Sequence, residues 1–105
     1  MSPSERRFAP ALYEALCKAE QAWKQGRTKG DCIRYAVELI QSRTGEASKE
    51  SQRVDVRLDY VQMNDAESFD ELDGAKTSEG RQVILSGALW VGKTRLIDNI
   101  LLEDR

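Results

Sequence analysis

The sequence predicts an α+β domain with two N-terminal helices packed on a small, mainly antiparallel three-stranded sheet. Three observations carry this expectation. Apolar residues recur every three or four positions in the first forty-odd residues. Val54, Val56, Leu58 and Tyr60 alternate with Asp55, Arg57 and Asp59. Two apolar runs flank Gly92-Lys93-Thr94 near the end of the chain. Helices therefore precede strands instead of alternating with them, so the parallel sheet of a βαβ protein is excluded.

Each element has its own signal. Ser2-Pro3-Ser4-Glu5 combines a capping hydroxyl, a proline in the first turn and a glutamate three residues after the cap, which starts a helix. Phe8, Ala9, Leu12, Ala15, Leu16, Ala19 and Trp23 then form one face, with Arg6, Glu14, Lys18, Gln21 and Lys24 mainly on the other. Pro10 removes a backbone donor inside this pattern, leaving either a kink or a short first turn followed by a second start. We expect a kinked helix running to about Gln25 and ended by Gly26.

Asp31 is read as the cap of the second helix, with Ile33, Ala36, Val37 and Ile40 as its apolar stripe, Arg43 as its end and Gly45 as its stop. Thr44 to Gln52 is small and polar, a solvated connection. The strand at 54–60 follows. Asn64 to Gly80 is acidic and glycine-containing, a long connection with Phe69 and Leu72 as anchors. Val83 to Val91 and Arg95 to Leu102 close the chain as a hairpin.

Composition sets limits on function. A chain of 105 residues with 40% apolar side chains suits one domain, residues 1–105. Sixteen basic and eighteen acidic residues give a net charge of -2 with no long run of either sign, so neither nucleic acid nor an anionic membrane is an expected partner. The run from Val83 to Val91, broken by Ser86 and Gly87, is far short of the roughly 20 residues that span a bilayer. Without histidine, the chain lacks the commonest general base and zinc ligand. Cys17 and Cys32 lack the spacing of a zinc or redox pair and are read as small buried or half-buried hydrophobes, in keeping with a reducing cytoplasm. Asp55, Asp59, Asp65, Glu67, Asp70, Glu71 and Asp73 do not follow a calcium-loop spacing and are read as a wet strand face continuing into an acidic loop, with no metal site. Trp23 and Trp90 are read as core anchors.

One motif matches a pattern without its context. Gly87-Ala88-Leu89-Trp90-Val91-Gly92-Lys93-Thr94 satisfies the phosphate-loop pattern G-x-x-x-x-G-K-[ST]. In a working loop of that kind, backbone N-H groups wrap a phosphate and a helix starts at the lysine. Leu89-Trp90-Val91 favours extended backbone whose N-H groups are committed to a ladder, and only eleven residues follow Thr94. We therefore read Gly92 as the turn and Lys93 and Thr94 as its polar rim.

Gly92-Lys93-Thr94-Arg95-Leu96-Ile97-Asp98-Asn99, preceded by the apolar run 83–91, resembles the closing segments of the pantothenate synthetase (pantoate-beta-alanine ligase) family. Leu58-Asp59-Tyr60-Val61-Gln62-Met63-Asn64-Asp65-Ala66-Glu67-Ser68-Phe69 is similar to that family's strand and the acidic turn after it. Ser2-Pro3-Ser4-Glu5-Arg6-Arg7-Phe8-Ala9-Pro10-Ala11-Leu12-Tyr13 resembles the helix that opens its C-terminal domain.

The resemblance implies the C-terminal lid domain of a cytoplasmic ligase of the nucleotidyltransferase superfamily, acting in the route to coenzyme A. That enzyme uses ATP and magnesium to adenylate pantoate, and the amine of beta-alanine then displaces AMP to give pantothenate. The family's His-x-Gly-His and Ser-Ser-Arg-Asn segments are not in these 105 residues. The chain by itself is therefore expected to be inactive, with the N-terminal domain of the same enzyme as its partner. It is expected to be a monomer, the complete enzyme being a homodimer through that other domain. Lys93 and Arg95 are the candidate phosphate-facing residues, and no catalytic residue is assigned. Asp98 and Asn99 are read as structural, bonding side chain to backbone. The readings set against this one are a free-standing phosphate-loop protein and a non-catalytic protein-binding module.

Overall fold

The computed structural model describes residues 2–49, 54–66 and 82–102. Its elements run α1 (Pro3–Arg6), α2 (Ala11–Lys24), α3 (Lys29–Ser48), β1 (Val56–Asp65), β2 (Val83–Val91) and β3 (Thr94–Leu102). The α+β expectation holds, with helices on one side of an antiparallel sheet ordered β1-β2-β3.

The capping box forms as its residues predict. Ser2 Oγ accepts from the Glu5 N-H at 3.1 Å, and the Ser2 N-H donates to Glu5 Oε1 at 2.7 Å. The expected kinked helix is instead two helices. α1 lasts one turn, residues 7–10 turn the chain, and Pro10 is the N-cap of α2. Proline costs least at a helix start, where its missing N-H has no partner to lose. The break also turns Phe8 into the core, 2% exposed.

α2 buries Ala11, Leu12, Ala15, Leu16, Ala19, Ala22 and Trp23 along one face. Its end is a complete Schellman motif. Gly26 sits at φ 83, its N-H donates to Trp23 O at 3.0 Å, and the Arg27 N-H donates to Ala22 O at 3.0 Å.

α3 corrects the sequence reading at both ends. Thr28, not Asp31, is the cap: its hydroxyl oxygen accepts from the Asp31 N-H at 3.1 Å. Asp31 lies in the first turn, where an acidic side chain favours the positive end of the helix, and it pairs with Arg34 at 3.2 Å. The helix also runs through Gly45 to Ser48. Glycine costs a helix interior about 1 kcal/mol, and continuing past it buries Ala47 completely and gives the Ala47 carbonyl the Val54 N-H at 3.3 Å. The expected connection over 44–52 is correspondingly shorter.

β1 reaches Asp65, beyond the expected end at Tyr60, and carries a bulge. Leu58 pairs with Leu89, but Tyr60 pairs with Ala88, leaving Asp59 as the extra residue. The alternation changes side there. Val56, Leu58, Val61 and Met63 share the helix-covered face, while Tyr60, expected to continue the alternation of Val54, Val56 and Leu58, turns to the other. The expected anchors Phe69 and Leu72 lie outside the described residues.

On the covered face, β2 contributes Val83, Leu85, Leu89 and Val91, and β3 contributes Leu96, Ile100 and Leu102. α2 sits directly over Gly87, where an added Cβ would lie 2.9 Å from Leu12 Cδ1. The Thr44 hydroxyl donates to Ile40 O at 2.9 Å, with Val56 O at 3.2 Å as a second acceptor, tying α3 to the start of β1. Arg43 of α3 joins the helices through Glu14 of α2 at 2.8 Å and also pairs with Glu46 of its own helix at 3.2 Å, and the Glu14 hydrogen bond is the main reason its pKa is raised. Cys32 is buried and Cys17 half-buried, as the sequence predicts, and neither is in a disulfide. No described helix is long and apolar enough to cross a membrane.

Candidate functional site at the hairpin tip

Two residues, Gly92 and Lys93, connect Val91 to its partner Thr94. So short a hairpin loop needs a positive φ at its first position, which glycine adopts without steric cost, and Gly92 has φ 61. The tip is held from two sides. The Gly92 N-H donates to Asp55 O at 2.7 Å, and the Glu5 carboxylate lies where a Gly92 Cβ would be. α1 and the strands thus meet at one end of the molecule. The Ser2 N-H bond at that carboxylate is also the chief reason that the Glu5 pKa is lowered.

The phosphate-loop pattern folds as a hairpin. Residues 87–91 lie in β2 with neighbours on both edges, and Lys93 occupies the turn into β3 instead of starting a helix. The backbone between the two glycines is therefore committed to the sheet, as its extended-favouring side chains predict.

Lys93 and Arg95 lie close together but differ in state. Lys93 is exposed and has no ion pair with a described residue. Arg95 directs Nε and Nη2 to Asp59 Oδ2 at 2.9 and 2.8 Å, and its guanidinium lies 6.0 Å from the Tyr60 ring centroid. Its side chain is 40% exposed and that of Asp59 36%, so water screens the pair, which contributes about 1 kcal/mol or less. Arg95 can meet an anion through its outer nitrogen or by leaving Asp59. Lys93 is not held by any described residue.

Around them is a surface that the sequence reading missed. Arg57, Trp90 and Arg95 form one cross-strand row on the face without helices. Arg57 lies 5.8 Å from the Trp90 ring centroid and 3.2 Å from Asp55 Oδ2. Trp90 is half-buried and outside the core cluster, correcting its reading as a core anchor, whereas Trp23 is 2% exposed and fulfils that reading. The sequence reading placed Thr94 in the turn, but Thr94 opens β3 opposite Val91; the shorter, two-residue loop makes Trp90 and Arg95 cross-strand partners, so the polarity of Arg95 assigns Trp90 to the wet face. No such signal marks the bulge that brings Asp59 to Arg95.

Asp98 keeps its expected structural bond, Oδ1 accepting from the Asn99 N-H at 2.8 Å. Asp55 and Asp59 are both taken up by arginines, and no group of three acidic, cysteine or histidine side chains among the described residues is placed to hold a metal ion. A recess of about 230 Å³ beside α2 and α3 includes Glu14, Arg43 and Glu46, whose charges pair with one another.

Comparison with known proteins gives one consistent answer. The sequence model of the family described as pantoate-beta-alanine ligase matches residues 1–101. A pantothenate synthetase from Moorella thermoacetica is 35% identical over 103 residues, 98% of this chain and 32% of the relative. One from Syntrophomonas wolfei is 37% identical over 103 residues, with the same two shares. A crystal structure of the pantothenate synthetase of Thermus thermophilus superimposes with a TM-score of 0.69 at 26% identity, covering 95% of this chain and 31% of that one. The chain thus spans about a third of the length of the relatives it matches.

Proposed function

The chain belongs to the pantoate-beta-alanine ligase family, and on that premise we propose that residues 1–105 form the C-terminal lid domain of a cytoplasmic enzyme that joins pantoate to beta-alanine. The observation that supports this reading is the extent of the match: nearly all of this chain corresponds to under a third of a solved synthetase. In this reading the nucleotide and substrate sites lie mainly in the rest of the enzyme's length. Chemistry explains why such an enzyme needs a lid. The pantoate carboxylate would take the AMP group of magnesium-bound ATP, with pyrophosphate leaving, to give an acyl adenylate that water can hydrolyse. A small domain closing over the cleft excludes water until the amine attacks.

In this reading, residues at the hairpin tip do the electrostatic work. Lys93 brings an exposed ammonium group, unpaired among the described residues, to the phosphates, and Arg95 is held beside it by Asp59. No described residue is assigned to holding the magnesium ion or to the bond-making step. Cys17 and Cys32, neither in a disulfide, accord with a reducing compartment. The complete enzyme pairs with a second copy through its other domain, and the present chain alone neither catalyses ligation nor binds nucleotide tightly.

The test is a graft. Replacing the matching third of the Thermus thermophilus enzyme with this chain should preserve pantothenate formation, and Lys93→Ala in the graft should lower it. A folded graft without ligase activity would refute the domain assignment, and an unaffected Lys93→Ala variant would refute the role of the tip. Titrating the chain alone with magnesium-ATP should give no tight binding, and a micromolar dissociation constant would instead favour an independent nucleotide-binding protein.

A further inference from the structure

The two edges of the sheet differ in their protection. β1 carries a bulge at Asp59 and charged side chains at Arg57 and Asp59, with Asp55 just before it, all features that discourage another strand from pairing. β3 has continuous register from Thr94 to Leu102 and neither bulge nor proline. Two of the large hydrophobic side chains exposed on the molecule lie on it, Ile97 at 59% and Leu101 at 49%. A two-residue hairpin makes Val91 and Thr94 a hydrogen-bonded pair, so the backbone groups of Arg95, Ile97, Asn99 and Leu101 point away from β2 along the edge that no described strand pairs. One of those outward N-H groups is occupied: that of Asn99 donates to Asp98 Oδ1 at 2.8 Å.

We propose that the β3 edge is a self-docking surface for a second copy of this chain and that Asp98 keeps it closed by occupying the Asn99 N-H. The edge is self-complementary. In an antiparallel, two-fold register centred on Asn99, Ile97 of each copy opposes Leu101 of the other, matching exposed apolar residues across the pair. That register requires each Asn99 N-H to donate to the Asn99 carbonyl of the second copy, and this is the donor Asp98 holds. Centring the pair on Ile97 instead requires the same N-H to donate to Arg95 O of the second copy. Centring it on Asp98 sets two carboxylates against each other, which is unfavourable. Asp98 therefore acts against each of the three registers. β1 offers no equivalent surface, because its bulge interrupts the flat run of donors and acceptors.

Sedimentation velocity of the whole chain over a range of concentrations tests the proposal. Wild type should sediment as a monomer. Asp98→Ala should dimerise with an affinity at least about tenfold higher, the gain expected from releasing hydrogen-bonding groups at a new strand pair. Asp98→Asn keeps an oxygen acceptor for the Asn99 N-H and should remain a monomer, which a guard acting through charge alone would not allow. Adding Asn99→Pro to Asp98→Ala removes the outward donor without deleting a bond of the β2–β3 ladder, and should restore the monomer. Circular dichroism and cooperative unfolding establish that each variant is folded. An Asp98→Ala chain that stays folded and monomeric at all concentrations overturns the proposal, as does a dimer that survives Asn99→Pro, because it would use another surface.

Discussion

Replacing Gly87 with alanine should destabilise the chain by about 1–2 kcal/mol, the cost of overpacking reduced by the lower entropy of an unfolded chain with alanine. The contacts give the reason. A Cβ at position 87 would lie 2.9 Å from Leu12 Cδ1, 3.3 Å from Tyr60 O and 3.5 Å from Leu16 Cδ2. Carbon atoms pack best at about 3.5–4.0 Å, so the Leu12 methyl must retreat by roughly 0.6–1 Å. Leu12 is 2% exposed and Leu16 fully buried, so retreat disturbs neighbours instead of entering solvent. The carbonyl of Tyr60 belongs to the sheet and cannot yield locally. Overpacking of this kind costs about 1–3 kcal/mol, and the unfolded-state term returns about 0.4–1 kcal/mol.

Urea unfolding followed by tryptophan fluorescence should show a lower midpoint with an unchanged slope. The melting temperature should fall by about 4–8 °C per kcal/mol for a chain of this size. Leu12→Ala alone should cost about 2–5 kcal/mol, but in the Gly87→Ala background it should cost about 1 kcal/mol less, because it opens the space the new methyl needs. Additive effects in this cycle, or a Gly87→Ala chain as stable as wild type, would refute the packing argument.

Gly92→Ala should destabilise by about 1–2 kcal/mol, the cost of a side chain at positive φ, and thermal melts should show Glu5→Ala relieving part of the loss by removing the carboxylate against the new methyl. Thr28→Ala should cost about 1 kcal/mol through loss of the α3 cap, measured by the same urea unfolding, whereas Asp31→Ala should cost less. The Glu5 carboxyl should titrate below the usual glutamate range, because the Ser2 N-H bond favours its charged form. Its contribution to stability is then complete above the unfolded-state pKa and lost as pH falls through the lower folded-state value. A nuclear magnetic resonance titration with a midpoint at or above the ordinary glutamate value would contradict the capping box.

The elements that could be read directly were those whose cause is local. Ser2-Pro3-Ser4-Glu5 satisfies its own helix start, Gly26 supplies the positive φ that ends α2, and Gly92 turns a hairpin whose strands are marked by branched apolar residues. Asp98 likewise finds its partner one residue away. The phosphate-loop pattern could be dismissed for the same reason, since the residues between its glycines prefer extended backbone. Family membership was legible because the motif blocks lie in order along nearly the whole chain.

Tertiary contacts decided the rest. Gly45 looks like a stop, yet α3 passes through it because Ala47 is buried and its carbonyl meets Val54. Asp31 and Thr28 are both plausible caps in isolation, and only the start of the helix distinguishes them. The bulge at Asp59 moves Tyr60 to the open face and places the carboxylate against Arg95, thirty-six residues away, a pairing that no local pattern encodes. Local rules prescribe the backbone at a turn or cap because its partners lie within a few residues. The charge state of the hairpin tip and the face on which each aromatic ring lies depend on strand register, which is fixed only when distant segments pack together.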